Sequence, residues 1–220
     1  MTQKAIAIDG PSASGKSTIA RLLSKRLHMN YLDTGAMYRA VTLHVLESGV
    51  DPEDEDAVVG LLDQVDLSFH EGDILLNGRA VSRDIRSDEV TKAVSPVSSY
   101  QKVREKMVDQ QRKIASEAPA ILDGRDIGTV VLPQALLKIY LTASPEVRAQ
   151  RRVNDAKSSS TMDYQEVLAD LKRRDDYDSH RALSPLKPAE DAVFLDSSDL
   201  TIEEVLEKIQ ALWEARQCTM

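Results

Sequence analysis

The residues Ala5-Ile6-Ala7-Ile8-Asp9, then Gly10-Pro11-Ser12-Ala13-Ser14-Gly15-Lys16-Ser17, then an amphipathic run, decide the fold of this chain. The first piece is a short apolar run with the signature of a buried strand. The second fits G-x-x-x-x-G-K-[ST] and stands where that pattern has meaning, between a strand and a helix start. Each part has a physical task. Gly10 and Gly15 let the backbone fold tightly enough for its N–H groups to converge on phosphate oxygens. A helix starting near Lys16 adds its positive dipole end. Lys16 supplies a point charge for β- and γ-phosphates, and the Ser17 hydroxyl can ligate Mg²⁺. A Gly/Ser-rich turn that binds nothing is the bland alternative, and the strand and helix on either side weigh against it. The stretch implies a loop that binds a nucleoside triphosphate.

Composition narrows the class. With 220 residues, 42% apolar and 29% charged, the chain has the make-up of an ordinary soluble globular protein long enough to bury a good core. Its 28 basic and 36 acidic residues give a net charge of −8, which disfavours nonspecific binding to nucleic acid or anionic membrane. Any anion must therefore be held by a local cluster of Arg and Lys. A single cysteine, Cys218, excludes an intramolecular disulfide framework and fits a cytoplasmic address. No basic-plus-apolar leader precedes the first strand and no apolar run approaches about 18 residues, so neither cleaved secretion nor membrane spanning is expected. The four histidines are scattered without metal-ligand spacing.

Outward from the loop, Ile19, Ala20, Leu22, Leu23 and Leu27 predict a helix over 16–27, followed by a strand over 31–33. The next helix carries Met37, Ala40, Val41 and Val45 and stops near Gly49, a C′ glycine. The acidic run 51–56 lacks the Gly and closing Glu of a calcium loop and reads as a helix start. From 61 to 91 the pattern changes to an antiparallel β-meander, with Asn77-Gly78 as its hairpin signal. A helix returns over about 100–116, then strands over 120–123 and 137–141. Ser144-Pro145-Glu146 opens a helix carrying Arg148, Arg151 and Arg152. Residues 157–161 are Ser-rich, polar and expected to be mobile. Asp163 with Glu166 forms a capping box for a helix through Leu168 and Leu171. A last strand at 192–196 precedes a final helix capped by Thr201 and Glu204. Five short strands separated by helices predict an α/β fold: a doubly wound, five-stranded parallel sheet with helices on both faces. Ligands then lie at the carboxyl ends of its strands.

Candidate site residues cluster just there. Residues 34–39 follow the second strand and Asp123-Gly124-Arg125-Asp126 follows the third, so both are expected to face the crevice of the phosphate loop. Arg39, Arg125, Arg148, Arg151, Arg152, Arg174 and Arg181 are many cations for an acidic protein. For Arg173 and Arg174 beside Asp175 and Asp176, a solvated helix face is the plainer reading. For Arg125, in a Gly-flanked turn after a buried strand, a phosphate-binding role leads, because guanidinium forks fit phosphate bidentately.

The chain resembles the bacterial cytidylate (CMP) kinases over essentially its whole length. The resemblance rests on four runs: Ile8 to Thr18, Leu32-Asp33-Thr34-Gly35-Ala36-Met37-Tyr38-Arg39, Asp123-Gly124-Arg125-Asp126-Ile127-Gly128-Thr129-Val130-Val131, and Arg174-Asp175-Asp176-Tyr177-Asp178-Ser179-His180-Arg181. The third is the most specific. Thr34 stands where some relatives have Ser, which keeps the hydroxyl. The resemblance implies one kinase domain over 1–220, with the 61–91 insert in the nucleoside-monophosphate-binding region and a helical lid over 145–180. It implies transfer from ATP, with Mg²⁺, to CMP and dCMP, with UMP a poor acceptor. Residues 10–18 and Arg151 would hold ATP, and Ser17 the Mg²⁺ together with phosphates and water. Lys16, Arg125, Arg148 and Arg152 would stabilise the transferred group. Arg39, Arg125 and Arg181 would hold the CMP phosphate. Ser95, Arg104 and Asp126 would read the cytosine, and Arg174 and Asp178, with Thr34, the ribose. A monomer is expected. Another small-molecule phosphate-loop kinase and a nucleotide-switched regulator are the rivals. The β insert and the D-G-R-D run argue against the first, and the lack of an N-K-x-D motif argues against the second.

Overall fold

A parallel sheet orders the chain, and its strands fall where short apolar runs alternate with helices. The computed structural model describes residues 3–70, 73–154 and 163–218. They divide into two compact units, one built from 3–33, 111–154 and 163–218, the other from 34–70 and 73–110. The first unit opens with β1 (Gln3–Asp9), α1 (Lys16–Leu27) and β2 (Asn30–Asp33). The second contains α2 (Thr34–Glu47), α3 (Glu55–Gly60), β3 (Leu67–His70), β4 (Asp73–Leu76), β5 (Arg79–Ala80) and α4 (Asp88–Val97). It also holds α5 (Gln101–Glu117) as far as Gln110. The first unit then resumes with β6 (Ala120–Gly124), β7 (Ala135–Thr142), α6 (Pro145–Val153), α7 (Tyr164–His180), β8 (Val193–Asp196) and α8 (Ile202–Gln217).

In the first unit five strands lie in the order β2-β6-β1-β7-β8, every pair parallel. A strand in such a sheet is covered on both faces, which is why Ala5 to Ile8 is apolar throughout and wholly buried. The period of two gives the faces different partners. Ile6 and Ile8 join Ile19, Ala20 and Leu23 of α1 and Val205, Leu206, Ile209 and Trp213 of α8 in one core. Ala5, Ala7 and Asp9 point to the opposite face. Because β1 sits between β6 and β7, the chain's crossovers diverge at its carboxyl end, and the phosphate loop leaves the sheet there.

Helix starts follow their sequence signals. Ser144 accepts from Val147 N with Pro145 at the first helical position, and Asp163–Glu166 and Thr201–Glu204 form complete capping boxes. Gly49 has φ 69°, with Gly49 N donating to Leu46 O and Val50 N to Val45 O, the paired bonds of a glycine-ended helix. Asp54 caps α3, as the acidic run predicts.

The second unit corrects the expected 61–91 meander. Its strands occupy only 67–80, in the antiparallel order β3-β4-β5, with the Asn77-Gly78 turn having both φ positive. On either side lie single 3₁₀ turns, Leu62–Gln64 and Asp84–Arg86, and the range closes inside α4. The sequence reading overlooks α4, since Val90, Thr91, Val94 and Pro96 argue against a helix. Ser87 caps it at Val90 N, and burial of Val90, Val94 and Val97 decides the outcome. Helix α7 also runs past Leu171 to His180, so the charged run 173–178 lies on a helix. The polar segment expected at 157–161 lies outside the described residues.

Candidate active site

The phosphate-loop motif links β1 to α1. Gly10 has φ 150°, and a Cβ there would stand 2.0 Å from the Leu141 carbonyl oxygen of β7, so only glycine lets the chain leave β1. Ala13 (φ 59°) and Gly15 (φ 93°) are left-handed and turn the loop back. No side chain caps α1, which leaves its first amides for a ligand. Pro11, Ser14 and Lys16 are buried, Ser12, Ala13, Gly15 and Ser17 half-buried, and Thr18 exposed. Lys16 Nζ donates to the Pro11 carbonyl at 2.7 Å and to Ser14 Oγ at 3.4 Å. Burial holds the Lys16 ammonium well below its usual range, and the charge of Arg125 adds to the effect against opposing Asp123, Asp9 and Asp33. A buried ammonium in reach of a second cation is the situation a polyphosphate relieves.

Ser17 Oγ donates to Asp123 Oδ2 at 2.8 Å, and Tyr31 Oη donates to Asp123 Oδ1 at 2.9 Å. Burial lifts the Asp123 carboxyl above the carboxylate range, and Asp33, its register partner on β2, adds to this. The Ser17 hydroxyl backed by the Asp123 carboxylate is a hard-oxygen set that suits Mg²⁺. Among the described residues no group of three or more His, Cys, Asp or Glu side chains could hold a metal, so these residues fit an ion that brings its own phosphate and water ligands.

Beyond β6 the chain makes a five-residue π turn, Ile127–Val131, and Arg125 and Asp126 stand before it. Arg125 Nε donates to Asp178 Oδ2 of α7 at 2.8 Å. Burial alone would raise Asp178, but Arg125, Arg174 and Arg181 together hold it below the carboxylate range. Arg174 is buried, which lowers its guanidinium with help from Arg125, and its Nε is buried without a hydrogen-bond partner among the described residues. Asp126 is buried too, with Oδ1 3.8 Å from Arg181 Nη2. The neighbours Arg173 and Arg174 divide: Arg173 is 53% exposed on Asp170, whereas Arg174 is 7% exposed.

Helix α6 carries the other three arginines. Arg148 is buried; its Nε donates to Ala143 O at 2.9 Å, and Nη1 to Ser12 O at 3.1 Å with Asp175 Oδ2 at 2.7 Å. It therefore ties the phosphate loop to α7. Arg151 donates to Ser197 Oγ at 3.0 Å and Ser197 O at 2.6 Å. Arg152 is half-buried and within electrostatic reach of Arg174.

The second unit holds its own set. Thr34 is buried at the start of α2, and Ser95 is buried on α4. Arg39 Nη1 donates to Ile85 O at 3.1 Å and Thr91 Oγ1 at 3.0 Å. Arg104 is buried, donates to Ser98 O at 3.2 Å, and places its guanidinium 5.4 Å over the Tyr38 ring.

Sequence reasoning missed Asp9, Tyr31 and Asp175. Asp9 accepts from Ile127 N and Gly128 N, both at 2.7 Å. Its signal was a charge closing an otherwise apolar strand. Tyr31 and Asp175 gave none, since each acts through a residue remote in sequence.

The family model for cytidylate kinase matches residues 6–215. The chain is 51% identical over 216 residues to the cytidylate kinase of Corynebacterium efficiens, covering 96% of this chain and 94% of that protein. It is 50% identical over the same span to the cytidylate kinase of Corynebacterium glutamicum, with the same coverage. A shikimate kinase from Bacteroides thetaiotaomicron shares the fold, with a TM-score of 0.50 at 11% identity over 96% of this chain and 98% of that one. The phosphate loop, its buried lysine and the arginine-bearing turn after β6 thus sit in a kinase of the transferase class, and the chain belongs to the cytidylate kinase family.

Proposed function

We propose that the chain transfers the γ-phosphoryl group of ATP reversibly to CMP and dCMP, giving CDP and dCDP, with Mg²⁺ required and UMP a poor acceptor. The observation that carries this reading is the phosphate loop itself, whose uncapped helix start stands beside the buried Lys16 ammonium, with the charge of Arg125 acting on that lysine. Phosphoryl transfer needs such preorganised positive charge and little else, because the acceptor is already an anionic phosphate oxygen and requires no strong base. CMP as acceptor comes from the name that the family and its relatives carry.

In this reading residues 10–18 hold the ATP phosphates with Arg151, and Ser17 holds Mg²⁺ with phosphates and water. The ion, when bound, draws charge from the phosphate oxygens. Lys16, Arg125, Arg148 and Arg152 neutralise the group in transfer. Arg39, Arg125 and Arg181 hold the CMP phosphate, Arg174 and Asp178 with Thr34 the ribose, and Ser95, Arg104 and Asp126 the cytosine. The insert at 61–91 belongs to acceptor binding, and 145–180 acts as the lid that keeps water from the transferred group. The buried Arg174 Nε, with no hydrogen-bond partner among the described residues, supports a ligand there. Arg125 has a carboxylate partner in Asp178, so its place in the site does not depend on Asp126 alone. The bonds of Arg148 to Ser12 and Asp175 suit a role exerted through the phosphate loop.

A coupled assay of ADP release with ATP, Mg²⁺ and each nucleoside monophosphate in turn tests the reading. CMP and dCMP should stimulate release and UMP only weakly. Equal stimulation by purine monophosphates, or none by CMP, would overturn it.

A further inference from the structure

Asp9 ends β1 on the face it shares with Ala5 and Ala7, away from the core that Ile6 and Ile8 form with α1 and α8. Both its oxygens are committed: Oδ1 accepts from Ile127 N and Oδ2 from Gly128 N, each at 2.7 Å. Those amides open the π turn, where backbone donors have no partner within the turn itself. Asp9 is 3% exposed, so bulk solvent does not compete for these bonds. The site also holds space for this contact. A Cβ on Gly128 would stand 3.3 Å from Asp9 Oδ2 and 3.1 Å from the Lys138 Cδ.

We infer that Asp9 is a positioning residue for the acceptor loop: its carboxylate clamps the backbone amides of Ile127 and Gly128 and so fixes Arg125 and Asp126 relative to the phosphate loop. The residue after Asp9 is Gly10, the first of the phosphate loop, which is itself held against β7. Its side chain therefore joins the loop assigned to the donor with the loop assigned to the acceptor. A charge is chosen over a neutral side chain because charge-assisted bonds to amides are about twice as strong as neutral ones, and the turn has little regular structure to anchor it. Burial lifts Asp9 to about 6 while the two amides pull it down, consistent with a carboxylate kept in a dry place by its hydrogen bonds. Asp9 also acts on the charge of Lys16, but burial, Arg125 and Asp123 all outweigh it there. Its main effect is expected on the acceptor.

The inference rests on the assignment of Arg125 and Asp126 to CMP, and its test separates the two. Asp9→Asn keeps the shape but turns an amino group toward one of the amide donors. Steady-state kinetics should show the KM for CMP raised by at least about tenfold, with the KM for ATP within about threefold of wild type. In amide-resolved NMR the Ile127 and Gly128 protons should move upfield and exchange faster with solvent. Gly128→Ala, which presses on the same contact from the other side, should reproduce the CMP-selective rise and decides the matter if Asp9→Asn fails to fold. An unchanged KM for CMP, or KM values for CMP and ATP rising together, would overturn the inference. If wild-type protein does not phosphorylate CMP, the functional reading fails instead, and the amide protons still report whether Asp9 holds the turn.

Discussion

Replacing Arg125 with alanine removes one side chain with two duties, and the structure gives a size to each. As a charge-assisted fork to phosphate, Arg125 should contribute at least about 2 kcal/mol to the transition state, so kcat/KM for CMP should fall by about 30-fold or more. As the partner of Asp178 at 2.8 Å, it also holds a carboxylate whose side chain is 7% exposed. Breaking a buried pair costs about 3–5 kcal/mol when nothing compensates. Here the Arg125 side chain is 20% exposed, and Arg174 and Arg181 also act on Asp178, so the loss of stability should be nearer about 1–2 kcal/mol. Coupled ADP release measures the first loss and urea denaturation the second. Asp178→Asn and the double variant complete a cycle, in which the two stability losses should fall short of additivity by about 1 kcal/mol. Arg173→Ala is the control. That side chain is 53% exposed on Asp170, and its loss should change stability by no more than about 0.5 kcal/mol and kcat/KM hardly at all. If Arg125→Ala and Arg173→Ala behave alike, the separation of site arginines from surface arginines is wrong.

Cytosine and uracil differ at the 4-position, an amino donor against a carbonyl acceptor, so a carboxylate at Asp126 should favour CMP. Asp126→Asn should then collapse the CMP-to-UMP ratio of kcat/KM by about tenfold or more, whereas an unchanged ratio moves base reading to Ser95 and Arg104. Asp9 gives a pH signature in stability. Its carboxyl sits at about 6 against an ordinary 3.8, so the folded state holds the proton more tightly than the unfolded one. That contribution is full below about pH 4 and disappears as pH rises through 6, by up to about 3 kcal/mol. The stability difference between wild type and Asp9→Asn, followed by urea denaturation from pH 4 to 7, should shrink in wild type's disfavour across that window; a flat difference would remove Asp9 as the titrating group.

The sheet was legible because parallel strands buried on both faces read as short apolar runs, unbroken in Ala5 to Ile8 and Ala120 to Leu122 and interrupted in Leu137 to Leu141 by Lys138. Caps were legible because a hydroxyl or carboxylate meeting an amide three residues on is a local event, as at Ser144, Asp163 and Thr201. Helix α4 was not, since its β-branched residues and Pro96 point away from a helix that burial nevertheless selects. At the site, the phosphate loop announced itself through its glycines and lysine. The bonds that shape it, Asp9 to the amides of 127 and 128, Tyr31 to Asp123, and Arg148 to Asp175, join residues 27 to 119 positions apart. Spacing along the chain carries no record of such pairs. Spacing and charge likewise make Arg173 and Arg174 look alike, so the family resemblance alone set Arg174 apart, and one helical step turns it from solvent to interior.

Phosphorus NMR of the protein with ATP, CMP and Mg²⁺ follows donor and acceptor at once. CDP and ADP resonances should grow together in equal amounts, the same mixture should be reached from CDP and ADP, and Lys16→Met should lose most of the rate while remaining folded, because among the described residues that buried ammonium hydrogen-bonds within its own loop. Inorganic phosphate growing in place of CDP, or near-normal transfer by Lys16→Met, would contradict the account.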